Sequence, residues 1–407
     1  MPHLVNPSER IVAVDDLEKY EYWLTQPGFR VANEAEVENF VKEQEAEMKL
    51  ANEPVPEATE LDKSIYMATV AVEKKDGYGT ASKNIFNELK KLGQNVSLYQ
   101  KGQKIGFLFH SPQALIKLDN PFKIIYTMFE STKIPDEWIE YLQLADLVIV
   151  PSHWCAEVFA ASGINAMVIP LGYDPDTFRF KERINKRENE KDFVFLHYNA
   201  FNLRKGFLEV LQAFIKAFEP DEPVKMIFKT NQLEIPTGFN FAPSAYPNIK
   251  VINKPMDNPE MLDLLHESDA FVFPSRGEGF GMTPLEAMAT GLPTIVPNAH
   301  GISEYFNPDV MYEVKVKGEV PATYSRYKGQ NVGHMYESDV DHLAQQMRYI
   351  YEHQDEALEK GRKAAEYVRN FTFSKTAAAL NDVFNDYLGR TPTEKPLQNV
   401  LTLEGVK

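Results

Sequence analysis

From residue 64 onward the chain alternates short apolar runs with stretches of helical period. The runs SIYMATVAV (64–72), NVSLY (95–99), KIGFLF (104–109), FKIIYTMF (122–129), ADLVIVP (145–151) and AMVIP (166–170) lack a regular polar face. That is the pattern of strands covered on both sides in a parallel sheet. Between them, Lys83–Leu92 puts Ile85, Leu89 and Leu92 on one helical face with Gly93 as the cap, and residues 154–161 read as a second helix. The segment 76–82, D-G-Y-G-T-A-S, reads as a turn. A second series follows: KDFVFLHYNA (191–200), VKMIFKT (224–230), NIKVINKPM (248–256) and Phe271–Phe273, interleaved with helices at 207–218 and 261–266. Strands alternating with helices predict α/β units with parallel sheets.

The segment P-L-G-Y-D-P-D-T-F (170–178) closes the first unit, and the charged stretch 181–190 reads as an exposed hinge. Residues 338–370 are helical with a charged face, a last helix runs from 371 to about 388, and 391–407 reads as a loose tail. The first 63 residues differ. RIVAVDD (10–16) is one short strand, Leu17–Leu24 a helix, Pro27-Gly28 a turn and Glu34–Met48 an acidic helix, with Pro54 and Pro56 marking a linker. The expected organisation is an appendage (1–63), two α/β domains (64–180 and 181–370), a C-terminal helix (371–390) and a tail (391–407).

Composition narrows the class. With 407 residues, 43% of them hydrophobic, the chain can bury full cores. A net charge of −16 argues against a broad surface for nucleic-acid backbones. Half of that excess lies between Glu34 and Asp62, which hold ten acids and two lysines; the segment is either a solvated tail or a docking site for a protein partner. One cysteine, Cys155, permits no internal disulfide and suggests a reducing compartment. No apolar run reaches the ~20 residues of a membrane span, and Met1–Arg10 has no signal-peptide core, so a cytoplasmic location is expected.

Chemistry concentrates in Phe271–Pro297, FVFPSRGEGFGMTPLEAMATGLPTIVP. It reads as strand, glycine-rich loop, short helix, turn and strand. Thr283 is placed to cap the helix, Pro284 to occupy its first position and Glu286 to close a T-x-x-E capping box, with Gly291 at the C-terminal end. Free N–H groups at such a helix start, framed by glycines, suit a phosphate. Glu278 and Glu286 suit sugar hydroxyls, although read alone Glu286 is also explained as a capping residue and Glu278 as a solvated loop acid. Phosphate and sugar together suggest a nucleotide sugar. In N-L-R-K-G-F (202–207), Arg204 and Lys205 stand at a helix start, where cations oppose the helix dipole unless an anion lies between. Gly77, Gly79 and Ser82 fall short of a dinucleotide fingerprint, since the third position is serine and no acid lies near Tyr99–Gln100.

E-G-F-G-M-T-P-L-E followed by A-M-A-T-G-L-P resembles the E-x7-E signature of retaining glycosyltransferases of family 4, on the GT-B fold. The resemblance extends over about residues 64–388. It implies two Rossmann-like domains facing across a cleft and transfer of a hexose from a nucleotide-diphosphate sugar, such as UDP-glucose or GDP-mannose, to a hydroxyl acceptor. It implies no other cofactor. Under it, Glu278 orients the sugar, Arg204 and Lys205 hold the diphosphate, and Gly279, Phe280, Gly281, Met282, Thr283 and Glu286 contact the donor. Asn202, Gly77 and Gly79 fall at further donor positions, and the base is expected near Lys254, Pro255 and Met256. Glu304 matches a frequent family acid of structural character. Retention is then expected by front-face attack, without a metal; Asp174-Pro175-Asp176 and Asp339-Val340-Asp341 lie outside the donor loops.

The family often has a histidine where this chain has Phe129-Glu130, in M-F-E-S-T-K-I-P-D-E-W, a segment similar to a subgroup with F-E-S there. His110 and Glu130 are the candidates to replace it; His153 and His197 read as bystanders. The acceptor is open: polysaccharide, lipid-linked sugar, protein, or modified bases in DNA as in phage-type enzymes. A catalytically silent GT-B binding module is the competing reading. A phosphorylase would need a pyridoxal lysine site and an epimerase further acids in the cleft, and neither is evident.

Overall fold

The computed structural model of the chain describes residues 3–5, 11–13, 25, 30–38, 62–69, 77–187, 191–231 and 246–391. The expected helix Leu17–Leu24, most of the Glu34–Met48 helix, the Pro54/Pro56 linker, the interior of the 231–247 loop and nearly all of the tail lie outside the described residues. The chain divides into two compact units, Met1–Thr59 and Glu60–Lys407. In the first, β1 (His3–Val5), β2 (Ile11–Ala13) and β3 (Arg30–Val31) form an antiparallel sheet with β1 in the middle, where the sequence suggested a single strand.

The second unit holds two six-stranded sheets, all parallel. The first has the order β5-β4-β6-β7-β8-β9: β4 (Ile65–Ala68), β5 (Val96–Ser97), β6 (Ile105–Phe109), β7 (Phe122–Tyr126), β8 (Leu147–Val150) and β9 (Met167–Val168). Its helices are α1 (Gly77–Lys91), α2 (Asp136–Leu142) and α3 (His153–Ala160). Helix α1 starts at Gly77, so most of the expected turn is helical and both glycines sit in the first turn.

The second sheet has the order β12-β11-β10-β13-β14-β15: β10 (Phe193–Tyr198), β11 (Val224–Thr230), β12 (Ile249–Asn253), β13 (Ala270–Val272), β14 (Thr294–Pro297) and β15 (Tyr312–Val314). Helices α4 (Phe207–Ala217), α5 (Asn258–Glu267) and α6 (Met282–Ala289) connect them. Strand order reverses between β4 and β6 in one sheet and between β10 and β13 in the other. Such switch points open a crevice at the carboxyl ends of the strands. Two parallel Rossmann-like α/β domains of this kind constitute the GT-B architecture.

Two features were not legible in the pattern. The charged stretch after residue 180 is exposed at Lys181, Glu182, Ile184 and Arg187, as expected, but it is also anchored through one residue. Arg183, 8% exposed, donates to the carbonyls of Ser268, Leu265 and Thr290, at the ends of α5 and α6. A cation there satisfies orphan carbonyls and suits the negative end of both dipoles. Second, β16 (Val316–Pro321) and β17 (His334–Ser338) form an antiparallel hairpin that leaves the second sheet and reaches the first domain. There Trp138 Nε1 donates to Tyr327 Oη (3.0 Å), Ser131 Oγ to Val332 O (2.6 Å) and His334 N to Thr132 Oγ1 (2.8 Å).

Helices α7 (Val340–Glu352) and α8 (Gln354–Tyr367) follow the hairpin, and α9 (Phe373–Gly389) returns to the first domain. Phe384 meets Phe107 at 5.0 Å between ring centres, Tyr387 meets Phe122 at 5.2 Å, and Lys104 donates to Leu388 O.

Candidate active site

The loop 274–281 is shaped by its backbone. Gly281 has φ 88°, a left-handed conformation open to glycine, and it is the N-cap of α6. The helix therefore begins at Met282, which places Thr283 inside it, and no side chain caps it, so the expected T-x-x-E box is unformed. At the other end Gly291 N donates to Met288 O and Leu292 N to Ala287 O, a Schellman closure at the expected glycine.

Behind the loop, Gly301 N donates to Glu278 O (2.8 Å), Tyr305 Oη to Gly281 O (2.6 Å) and, from the first domain, Ser152 Oγ to Gly279 O (2.8 Å). Buried His300 has φ 44°, and its Nε2 lies 2.9 Å from Ser275 O. Glu304 holds the amide and ring of His153 at the start of α3. A methyl group on Gly301 would lie 2.1 Å from Gly279 O and 2.5 Å from Phe280 N, both rigid backbone. Gly301→Ala is expected to destabilise the chain by about 2–3 kcal/mol through overpacking, read as a lowered urea midpoint.

Two cavities meet in front of this loop. One, of about 430 Å³, is lined by Gly77 at the start of α1, by Gly281, Met282 and Thr283 at the start of α6, and by Lys205, Glu278 and Glu286. The helix starts face each other; a methyl group on Gly77 would meet Met282 Cε at 3.5 Å. Among the charged groups, Lys205 Nζ lies 2.5 Å from Glu278 Oε1, Arg204 Nη1 lies 3.5 Å from the same oxygen, and Ser275 Oγ donates to it at 2.7 Å. Burial would raise the Glu278 pKa, but the Lys205 and Arg204 charges and these hydrogen bonds bring it down to about 2. Glu278 is a fixed anion between two cations.

Glu286 is the opposite case. It is 8% exposed, and burial together with the field of Asp174 raises its pKa to about 7. The two acids of the motif are thus electrostatically distinct: one is a permanent carboxylate, the other sits at the edge of ionisation.

The second cavity, about 720 Å³, opens beside the first. Tyr78, Met128, Glu130 and Arg204 line both. Glu130 Oε1 is 3.7 Å from Arg204 Nη2, and Tyr324 Oη donates to its Oε2 at 3.4 Å. His110 lines only the second cavity, with Nδ1 2.8 Å from Ser111 Oγ. Asn202 also lines it, while its side chain accepts from Lys205 N and so fixes the turn carrying both cations.

Gly79 is buried in the first turn of α1, and Lys254, Pro255 and Met256 lie outside the lining of both cavities; Lys254 pairs instead with Glu260 at 2.8 Å. His197 is buried within β10 of the second sheet with Nδ1 2.9 Å from Val272 O, and burial lowers its pKa to about 4. Sequence reasoning missed Tyr78, Tyr198, Asn199 and Ser275 near the 274–281 loop, and the whole 320–327 wall. The alternation in E-V-K-V-K-G-E-V (313–320) was the available signal for that wall.

Residues 178–322 match the family model for glycosyl transferases group 1. The chain carries a group 1 glycosyltransferase domain. The matched residues span both loops, from the cations at 204–205 to the motif at 278–286. The ORF313 protein of Acidianus filamentous virus 1, a glycosyltransferase by name, is 25% identical over 246 residues, 60% of this chain and 73% of that protein. A glycogen synthase of Mycobacterium tuberculosis is 47% identical over only 49 residues, 12% of each chain. Among solved structures, Anabaena Alr3699/HepE in complex with UDP and glucose superposes with TM-score 0.58 at 13% identity, covering 80% of this chain and all of that one. Likeness at that identity speaks for the fold.

Among the described residues no helix is long and apolar enough to cross a membrane, and no group of three or more His, Cys, Asp or Glu side chains is placed to hold a metal ion.

Proposed function

We propose that the group 1 domain acts in a retaining hexosyltransferase that moves a sugar from a nucleotide-diphosphate donor to a hydroxyl acceptor. The observation that carries this reading is the convergence of Lys205, Arg204 and two facing helix starts on one cavity beside an ionised Glu278. Arginine supplies a planar fork and lysine a point charge to the diphosphate, and helix N–H groups add fixed dipoles where leaving-group charge develops. Glu278 accepts hydroxyls of the sugar, and Glu286 accepts hydroxyls at the far end of the donor. The bound UDP and glucose named for Alr3699/HepE, on the same fold, support a nucleoside diphosphate as the leaving group.

In the proposed step the bond from the anomeric carbon to the diphosphate oxygen breaks with its electron pair going to that oxygen. The acceptor oxygen bonds on the same face and its proton passes to the departing phosphate oxygen. Glu130, at the seam of the two cavities, orients the acceptor hydroxyl. Two protein cations already occupy the diphosphate site, so transfer is expected to persist in EDTA.

A thermal-shift panel of UDP-, GDP- and ADP-sugars tests the reading. One nucleotide is expected to raise the melting point, corresponding to about 2.7 kcal/mol at a hundredfold excess over Kd. Proton NMR of the product is expected to show a retained anomer. Nucleotide binding without turnover across an acceptor library would favour a silent binding module, and no shift with any nucleotide would sink both.

A further inference from the structure

We infer that the second cavity is an acceptor site, completed by the 316–338 hairpin, that selects a sugar carrying a negative group such as a phosphate or carboxylate. The inference rests on the glycosyl-transfer reading for the word acceptor, but its ligand chemistry stands on the cavity itself.

Three observations converge. The first is position. The cavity joins the donor cavity through Tyr78, Met128, Glu130 and Arg204, so a molecule seated in it presents its end to the donor at the one carboxylate on that seam. Its volume of about 720 Å³ lies within the roughly 300–1,000 Å³ of small-molecule sites.

The second is construction. One wall comes from the hairpin, with Tyr324 tilted against Phe129 at 5.3 Å and Tyr327 edge-on to it at 5.9 Å between ring centres. The opposite wall is the first domain. The hydrogen bonds of Tyr327 to Trp138, of Val332 to Ser131 and of His334 to Thr132 hold the hairpin there. Aromatic faces of this kind receive the apolar faces of a sugar ring.

The third is charge. Among the described residues the lining carries three arginines, Arg204, Arg276 and Arg326, against one carboxylate, Glu130, in a chain whose net charge is −16. Arg204 is engaged by Glu130 and Glu278, and Arg276 by Glu209 (2.6 Å) and Glu337 (3.5 Å). Arg326 makes no ion pair with a described residue; its guanidinium rests 5.5 Å from the ring of Tyr327. Glu137 on the facing helix α2 accepts from Gln113 Nε2 at 2.9 Å. Two of the three guanidinium groups are thus neutralised by carboxylates, and the charge left to a ligand is the exposed guanidinium of Arg326, which selects an anion. The hydroxyl end of the ligand then lies at Glu130 and Tyr324, and its anionic end at Arg326.

Binding of glucose, glucuronate and glucose 6-phosphate is measured by calorimetry on the full chain with UDP at saturation, so that phosphate cannot enter the donor cavity. At least one anion is expected to bind tenfold or more tightly than glucose, and which one identifies the group. Arg326→Ala is expected to remove that preference and Arg326→Lys to restore part of it, while the UDP-induced thermal shift stays unchanged in both. Equal binding of glucose and the anions, no binding of any of the three, or a preference that survives Arg326→Ala overturns the inference. Loss of the UDP shift in the unmodified chain would instead count against the donor reading. The calorimetry, repeated without UDP and read as the difference in anion preference between the unmodified chain and Arg326→Ala, still decides whether the hairpin pocket takes anionic sugars.

Discussion

Lys205→Ala is expected to lower the rate of sugar transfer by 10³-fold or more while the chain remains folded. Lys205 Nζ is 2.5 Å from Glu278 Oε1, and both side chains are largely buried. In the proposed reaction the ammonium sits where the diphosphate charge grows. A single preorganised donor to such a charge is worth about 10²–10³ in rate, and here a full positive charge goes with it. The same change strips Glu278 of its nearest cation. Arg204 at 3.5 Å and Ser275 at 2.7 Å remain, so the carboxylate is not orphaned and the loss of stability should stay near 1–3 kcal/mol. Single-turnover assays with circular dichroism as the folding control check this. Turnover within tenfold of the unmodified protein would show that the diphosphate lies elsewhere.

Glu286→Gln is expected to stabilise the chain in alkaline solution and to weaken donor binding there. The folded-state pKa of Glu286 is about 7, raised from the ordinary carboxyl value of 4.5 by burial and by Asp174. A carboxyl with a raised folded pKa binds its proton more tightly in the folded chain than in the unfolded one. Its contribution is therefore intact below about pH 4.5 and declines as pH rises to about 7, above which the ionised group costs about 3 kcal/mol. Glutamine removes that cost. The melting point of the variant should match that of the unmodified protein near pH 4.5–5 and exceed it by several degrees at pH 8. Donor affinity should move the other way. The unmodified protein is expected to bind more tightly as pH rises through 7, because the carboxylate accepts hydroxyls, and the variant should lose that dependence. A pH-independent difference in melting point would mean that Glu286 is not the titrating group. In the proposed reaction the acid gives up stability for donor binding, a common arrangement at functional sites.

Much of the site could be read from local chemistry. Glycines at 277, 279 and 281, followed by T-P-L-E and ending at Gly291, specify a strand, a tight loop and a short helix, and the structure contains each. The reading erred by two residues at the helix start. Local capping rules favoured Thr283, whereas packing against Tyr305 and Ile302 puts Gly281 into the left-handed conformation and begins the helix there. The error matters chemically, since it turns Glu286 from a capping residue into a buried acid. Helix α1 was misjudged in the same way, with its glycines read as a turn although they form the first turn of a helix.

What the sequence alone determined about this protein is its periodic content: two series of apolar runs without a polar face, hence two parallel sheets, and glycine- and cation-rich loops at the ends of particular strands. These follow from interactions among residues close in the chain. Only the tertiary structure decided the electrostatics and the second cavity. Lys205 and Glu278 are 73 positions apart, Tyr324 and Glu130 are 194 apart, and Ser131 and Val332 are 201 apart. No local period encodes such pairs, because each arises when strand order at the two switch points and the reach of the 316–338 hairpin bring separate loops to one crevice. Neighbouring charge and burial then set the state of each acid: its two cations hold Glu278 ionised against its burial, while burial raises the pKa of Glu286 to about 7.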